Sequence, residues 1–516
     1  MAFTEWRFQQ VVSYAVDAAQ QIWGAQVVRS LRSLGLPPEW LRTVSNSAEA
    51  GAAFERSIPE FVSGEPKLVK CKFKRAWIEH GSWTTIYRVT IQGRGGDHER
   101  TLDLRGELVL PTQEPPVQKP SETPFGSEGW HSYVPGLRML LTFEPPDSAL
   151  PAMSLLADPE HARILLEDAM RAGSPANADL RIAACSVEVM RYKPGRRYTA
   201  RYELDVSPDS PLRTWPDRVV AKTHSEGEGR NAYEGMRALW SSKLRTSHAV
   251  TIAEPLAFLP DSNVLVQGLI PGKLTLKRLI ESSLVPGSPE SIRTLSKQVR
   301  KVGTGLAELH TCGAERGDAV TWESEMAALE ETIRQLEARL PDVANAAAPL
   351  LTRLEAAASE NPAEPLAPTH RSFRPAQVLL EGDDIGFIDF DGFCRAEPGL
   401  DLALFRITLK ELCLRALTQD GTRPIDDNAL RELMVSLDEL GEEFLSGYEE
   451  VSTVQRSRLA LWEVLVLLDD IFTCWTKLKF EHLGPRLGFL HHHLATGGAS
   501  LAQGAASTPD RGDPGS

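Results

Sequence analysis

Two carboxylates close an apolar run in Ile388-Asp389-Phe390-Asp391, and they are the residues of this chain best suited to chemistry. A polar cluster, His370 to Gln377, precedes them and leads into Val378-Leu379-Leu380. Gly382-Asp383-Asp384 then supplies a turn, and Ile385 to Phe390 forms the second apolar run. The pattern predicts strand, tight turn, strand, with polar residues at both mouths. A carboxylate ending a buried strand opposite a polar loop suits a divalent cation bound to phosphate oxygens. Asp389 and Asp391 would share a face if the strand continued, and lie on opposite sides of a kink if it ended there. A surface hairpin with ordinary Asp turn residues is the plain alternative, and the flanking apolar strands disfavour it.

Lys222 ends a second apolar strand, Val219-Val220-Ala221, and a cation there can neutralise phosphates. The turn Lys193-Pro194-Gly195-Arg196-Arg197 lies upstream and adds positive charge, although a solvated basic turn has the same composition. Gly227-Glu228-Gly229 superficially suggests a dinucleotide fingerprint. Glu226 and Glu228 would place negative charge beside a pyrophosphate and no βαβ succession follows, so that reading is rejected. His491, His492 and His493 are consecutive and would spread around a helix, leaving no metal face.

The elements that must position these groups are legible in order. Phe8 to Leu34 carries apolar residues at helical spacing, with Val11, Val12, Ala15, Ala18 and Ala19 on one side. Lys67 to Ile91 and Ile182 to Val206 each read as strand, turn, strand. A helix is expected near Pro159 to Ala172, a strand at Arg218 to His224, a helix at Arg230 to Trp240, and strands at Ile252 to Phe258 and Asn263 to Ile270. Helices follow at Ser291 to His310, at least two within Thr321 to Glu360, then Ala403 to Ala416, Asp427 to Tyr448 and Ser457 to Phe480. The tail from Gly497 to Ser516 is small, polar and Pro-containing, a composition that predicts disorder.

The segment from Thr369 to Phe405 resembles the catalytic segment of the aminoglycoside phosphotransferase and choline kinase-like family, relatives of protein kinases. That family reads roughly H-G-D-x-x-P-x-N, a hairpin, I-D-F/W-D/E, and later D-P-x-x-D-L-A. His370, Pro375, Ile388 to Asp391, Pro398 and Asp401-Leu402-Ala403 fall into register. Two positions depart: Ser372 stands where the family places its catalytic Asp, and Gln377 where it places a metal-binding Asn. The order of elements from Ile182 also resembles the family's small lobe, with Pro271-Gly272 as the hinge.

The resemblance implies an α+β, protein-kinase-like fold: a β-rich small lobe over residues 181–270 and a helical large lobe over 271–496, with the catalytic loop in 369–403. Residues 1–60 and 61–180 would form an N-terminal helical segment and an α/β extension, and 497–516 a tail. It further implies ATP and Mg2+ as cofactors, with Lys222, Gly195 and Arg197 on the nucleotide and a helix glutamate aligning Lys222. Glu226, Glu228 and Glu234 are candidates for that glutamate, with Glu234 best placed. Asp389, Gln377 and Asp391 are the metal set, Asp391 as ligand or structural acceptor. His370 and Asp401 are structural, and Arg374 adds a cation to the loop.

A serine is no general base at neutral pH, and losing a positioned base costs roughly 3–5 kcal/mol of transition-state stabilisation. Glu397 is a conceivable replacement; Asp383 and Asp384 lie at the far end of their hairpin. Three functions follow: a nucleotide-binding, pseudokinase-like protein with impaired catalysis, an active ATP-dependent phosphotransferase on a small hydroxyl-bearing substrate, or a non-catalytic scaffold. The phosphate acceptor or protein partner is not specified by any motif.

Composition bounds these readings. At 516 residues the chain is long enough for two to four domains or lobes. Hydrophobic content of 42% and charged content of 24% describe an ordinary globular protein. A net charge of -14 argues against a general nucleic-acid binder. Six cysteines without C-x-x-C pairing point to free thiols in a reducing compartment. The N-terminus has no signal-peptide pattern, and the most apolar stretch, Leu459 to Trp475, carries Glu463, Asp469 and Asp470. A cytoplasmic protein with no membrane contact is therefore expected.

Overall fold

The computed structural model describes residues 25–496, apart from 94–97, 111–113, 115–120, 146–149, 151, 174, 194, 208–215, 225–227, 285–287 and 419–426. Most of the expected N-terminal helix and the whole expected tail lie outside the described residues. The chain divides into two compact units. One comprises Met1–Pro146, Glu325–Glu360 and Val464–Ser516, and the other Asp147–Ser324 and Asn361–Glu463.

In the first unit, alternating residues build a five-stranded antiparallel sheet. Its strands are β1 (Lys67–Glu79), β2 (Ser82–Gln92), β3 (Glu99–Leu108), β4 (His131–Val134) and β5 (Met139–Glu144), in the order β1-β2-β3-β5-β4. Indole and phenol groups carry polar tips into this core and need partners there. Trp83 Nε1 donates to Trp475 O at 3.2 Å, Trp475 Nε1 to Leu34 O at 3.1 Å, and the Tyr87 hydroxyl to Val44 O at 2.7 Å. The two Trp475 bonds tie the 464–496 segment to the N-terminal elements. Residues 325–360 and 464–496, read as parts of the helical lobe, belong instead to the unit of the N-terminal sheet.

The second unit holds the candidate site. β6 (Ile182–Lys193), β7 (Arg197–Val206) and β8 (Arg218–His224) form an antiparallel meander. After the helix Glu228–Trp240 and the two-residue β9 (Thr251–Ile252), β10 (Pro255–Leu259) and β11 (Val264–Gly268) complete the sheet in the order β10-β11-β8-β7-β6. The helix Pro159–Gly173 covers one face, burying Leu166, Ala169 and Met170 against Tyr202, Val219 and Ala221.

Beyond β12 (Leu274–Thr275) the unit is mainly helical. Helices Pro289–Thr311 and Asp427–Glu449 approach so closely that a Cβ on Gly303 or Gly447 would collide with the backbone of the facing helix. β13 (Ala367–Thr369) pairs with β16 (Cys394–Ala396). Between them runs the hairpin of β14 (Val378–Glu381) and β15 (Asp384–Phe387). Short pairings with β12 and β9 flank that hairpin, so both of its strands are held.

Behind the hairpin lies a buried ion pair. Arg458 donates to both oxygens of Glu397, at 2.7 and 2.6 Å, and Trp462 Nε1 adds a third bond at 3.2 Å. Both charged residues are 2% exposed or less. Glu397 is thereby removed from the list of conceivable bases, because its carboxylate is enclosed and saturated. Removing one partner of such a pair leaves a buried, uncompensated charge. Arg458→Ala is expected to lose about 3–5 kcal/mol in urea unfolding, whereas a loss under about 1 kcal/mol would show the pair to be peripheral.

Candidate functional site

Strand geometry brings three basic groups to one face of the small sheet. Residues two apart on a strand share a face, and so do directly opposed residues of an antiparallel pair. Lys222 and His224 are two apart on β8, and Arg197 on β7 lies opposite His224. Gly195, at φ +63°, makes the β6–β7 turn that delivers Arg197 to this position. Lys222 and His224 are buried, and the Arg197 side chain is 18% exposed.

The carboxylates arrive from the other side. β15 ends at Phe387, and Asp389 adopts φ 76° and ψ 54° before the single turn Phe390–Gly392. The chain therefore kinks at Asp389. A left-handed non-glycine residue costs about 1–2 kcal/mol, which persists only where surrounding contacts over-determine it. Here those contacts are ionic. Lys222 Nζ lies 2.8 Å from Asp389 Oδ1 and 3.0 Å from Asp391 Oδ1. Arg197 Nη1 is 3.1 Å from both oxygens of Asp389, and its Nη2 pairs with Asp391 Oδ2. His224 Nε2 is 3.0 Å from the same Asp391 oxygen. All four carboxylate oxygens are engaged.

Burial alone would raise both carboxyl pKa values. Lys222, the hydrogen bond and charge of His224, and Arg197 reverse that for Asp391 and hold it well below the usual carboxylate range. Asp389 is also lowered, because Lys222 and Arg197 outweigh burial and the neighbouring Asp391 charge. Burial disfavours the Lys222 ammonium, yet Asp391 and Asp389 more than compensate and raise its pKa. Lys222, Asp389 and Asp391 are thus charged at neutral pH.

The helix Glu228–Trp240 clamps the kinked segment differently from expectation. Asn231 Nδ2 donates to Asp391 O at 3.1 Å and Phe393 O at 2.9 Å. One turn on, Gly235 packs so closely on the Phe393 ring that a Cβ would clash. Glu234 stands off this Asn231–Gly235 stripe; its side chain is 58% exposed, with Arg230 at 3.9 Å. The expectation that Glu234 aligns Lys222 is therefore corrected, since Asp389 and Asp391 hold the lysine directly. Glu226 falls outside the described residues.

The polar loop is built around His370. Its backbone N–H donates to Asp401 Oδ2 at 2.7 Å, and its ring Nε2 is 3.0 Å from Ile388 O. A carbonyl only accepts, so Nε2 donates to it, and Nδ1 is left facing the serine. Ser372 Oγ is 3.2 Å from His370 Nδ1, to which it can donate, and it receives a hydrogen from Gln377 Nε2 at 3.2 Å. Asp401 also faces His310 Nε2 at 3.3 Å. The Arg374 side chain is exposed and outside this network. Asp383 sits on the far turn with Lys297 at 3.1 Å and Lys301 at 2.6 Å.

Among the described residues no group of three or more His, Cys, Asp and Glu side chains could hold a metal ion. The donor chemistry nevertheless fits magnesium, which accepts few carboxylates and keeps water and phosphate as other ligands. Asp389 and Asp391 are ionised, and Gln377 Oε1 is buried with no hydrogen-bond partner. Sequence reasoning missed His224 and Asn231. His224 was signalled by its place two residues after Lys222, whereas nothing in the sequence marked Asn231. Among the described residues, no helix is long and apolar enough to cross a membrane.

Residues 201–432, somewhat less than half of the chain, match the family described as the phosphotransferase enzyme family. No curated protein matches the chain significantly. Three solved structures are similar at low identity. A choline/ethanolamine kinase family protein from Mesorhizobium loti is 13% identical, with 66% of this chain and 99% of that one covered and a TM-score of 0.42. A thermostable aminoglycoside phosphotransferase APH(4)-Ia variant, in ternary complex with ADP and hygromycin B, is 13% identical over 67% and 99%, with a TM-score of 0.41. A glucosamine kinase in complex with glucosamine, ADP and inorganic phosphate is 14% identical over 89% and 98%, with a TM-score of 0.42. The matched segment holds Lys222, His370 and Asp389 to Asp401, the residues that carried the family resemblance. The fold is α+β, with a five-stranded antiparallel sheet carrying Lys222 and a mainly helical part beyond β12.

The ionised cluster makes stability depend on acid. The folded pKa of Asp391 lies below its unfolded value near 3.8. Its stabilisation is therefore complete above that value and declines as pH falls below it. Asp391→Asn is expected to lower the urea-unfolding free energy at pH 7 and to flatten its fall between about pH 4 and 2. An unchanged acid slope would show that Asp391 is not held by these cations.

Proposed function

We propose, with the phosphotransferase match over residues 201–432 as premise, that this segment binds a nucleoside triphosphate with magnesium in a site whose transfer step is impaired. Lys222 is the phosphate-facing cation, and Asp389, with Gln377 and Asp391, would hold the metal. Bound magnesium would supply the positive charge that neutralises polyphosphate oxygens. The basic face of Arg197, Lys222 and His224 would orient the phosphates, and Asn231 would fix the backbone that presents the carboxylates.

One observation carries the impairment: the loop position where the family places its base is a neutral hydroxyl, and the candidate carboxylates among the described residues are otherwise engaged. Asp401 is bound to His370, Glu397 to Arg458, and Asp383 to Lys297 and Lys301. Phosphoryl transfer depends mainly on positioning and electrostatics, so a slow residual rate is compatible with these residues. A ligand present at a hundred times its dissociation constant adds about 2.7 kcal/mol to stability. Mg–ATP is expected to raise the unfolding midpoint of the wild type accordingly, and Lys222→Ala or Asp389→Ala to abolish the rise. No rise in the wild type would leave only a scaffold.

A second reading is favoured by the Ser372–His370 hydrogen bond. Ser372 can accept a substrate hydroxyl proton while passing its own to His370 Nδ1, which would sustain an active small-molecule phosphotransferase. The two readings differ in what the serine does. If transfer is impaired, Ser372→Asp raises ATP turnover by about 10²–10⁴-fold, the usual worth of a positioned base, and Ser372→Ala changes little. Substantial wild-type turnover that Ser372→Ala abolishes and Ser372→Asp does not improve would instead establish the serine relay.

A further inference from the structure

Arg197 has no part in the Lys222 motif, yet it contacts both carboxylates assigned to the metal. The charges balance: two cations, Lys222 and Arg197, face two anions, Asp389 and Asp391, with His224 beside them. The side chains of Lys222 and Asp391 are 7% and 10% exposed and those of Arg197 and Asp389 18% and 22%, so screening water is limited at the first pair and partial at the second. Such a balanced, buried set resists any ligand that brings only one sign of charge.

A divalent cation alone would have to take the carboxylates from Arg197 and Lys222, leaving two buried cations beside a third positive ion. Polyphosphate alone would have to take the cations from Asp389 and Asp391, leaving two carboxylates facing a phosphate chain. Each half-exchange breaks buried pairs without replacing them, the situation in which removing one partner is most costly. A metal–nucleotide complex brings both signs. Its metal replaces the cations at the carboxylates while its phosphates replace the carboxylates at the cations, and every charge keeps a partner.

We propose that Arg197 makes this site selective for a metal–nucleotide complex over either component, by holding Asp389 and Asp391 itself until both are exchanged together. The inference rests on the nucleotide-binding reading above and deepens it, because it names a residue outside the lysine and carboxylate motifs as the source of specificity. Arg197 opens β7 directly after the Gly195 turn, so its side chain can leave the carboxylates without disturbing the strand pairing of Thr199 with Lys222.

The test uses the full chain and three probes: Mn2+ alone, the non-hydrolysable analogue AMP-PNP with EDTA, and Mn2+ with AMP-PNP. Free Mn2+ is followed by electron paramagnetic resonance and nucleotide by calorimetry. In the wild type each component is expected to enhance the other's affinity on the order of 100-fold, equally in both directions. In Arg197→Gln, free Mn2+ should bind more tightly and the mutual enhancement should fall to less than about tenfold. Arg197→Lys, which keeps one charge but not the two-pronged contact, should retain part of the coupling and guards against a folding defect in the first variant.

Wild-type Mn2+ binding as tight without nucleotide as with it would overturn the proposal while leaving nucleotide binding intact. So would coupling unchanged in both variants. Failure of Mn2+ with AMP-PNP to bind the wild type at all would instead remove the underlying reading, and the proposal with it.

Discussion

The second unit depends on one electrostatic constraint: the Lys222 ammonium is buried, and Asp389 and Asp391 are what make it tolerable. A buried ammonium without a partner would lose its proton or open the structure to water. The two carboxylates come from a chain segment far away in sequence, so the ion pairs fasten the sheet of the small lobe to the kinked end of the β14–β15 hairpin. The left-handed backbone of Asp389 is a consequence. With the chain kinked there, Asp389 and Asp391 both reach the Lys222 ammonium, at 2.8 and 3.0 Å.

Around that cluster the polar groups form successive supports. Asn231 and Gly235 press the helix Glu228–Trp240 onto the backbone of 391–393. His370 bridges the loop to the hairpin through Ile388 O and to the next helix through Asp401. Each contact joins two elements distant in sequence, which is how a site is held to tight tolerances by rigid supports. Glu397 and Arg458 form a further such contact, a buried pair in which both carboxylate oxygens are engaged.

Much of this was legible in the sequence wherever a local pattern had only one physical solution. The hairpin at 378–387, the strand carrying Lys222 and the glycine turn before Arg197 each follow from alternation and turn residues. The pairing of Lys222 with two carboxylates, rather than with a helix glutamate, was not legible, because it depends on which face of the Glu228–Trp240 helix meets Phe393. Glycine at 235 decides that, and a glycine in a helix carries no polarity signal. His224 was visible as a residue two beyond Lys222, but a lone histidine says nothing until Arg197 and Asp391 are placed beside it. The grouping of 464–496 with the N-terminal sheet is accompanied by indole hydrogen bonds between distant residues, which no periodicity reveals.

Whether this ion cluster receives a metal-bound polyphosphate is tested most directly by a crystal structure of the full chain with Mg2+ and AMP-PNP. The prediction is a metal ion on Asp389, phosphate oxygens against Lys222, and the Arg197 guanidinium turned from the carboxylates to the phosphates. A complex in which Lys222 and Arg197 still hold both carboxylates, with the nucleotide bound elsewhere, would contradict it.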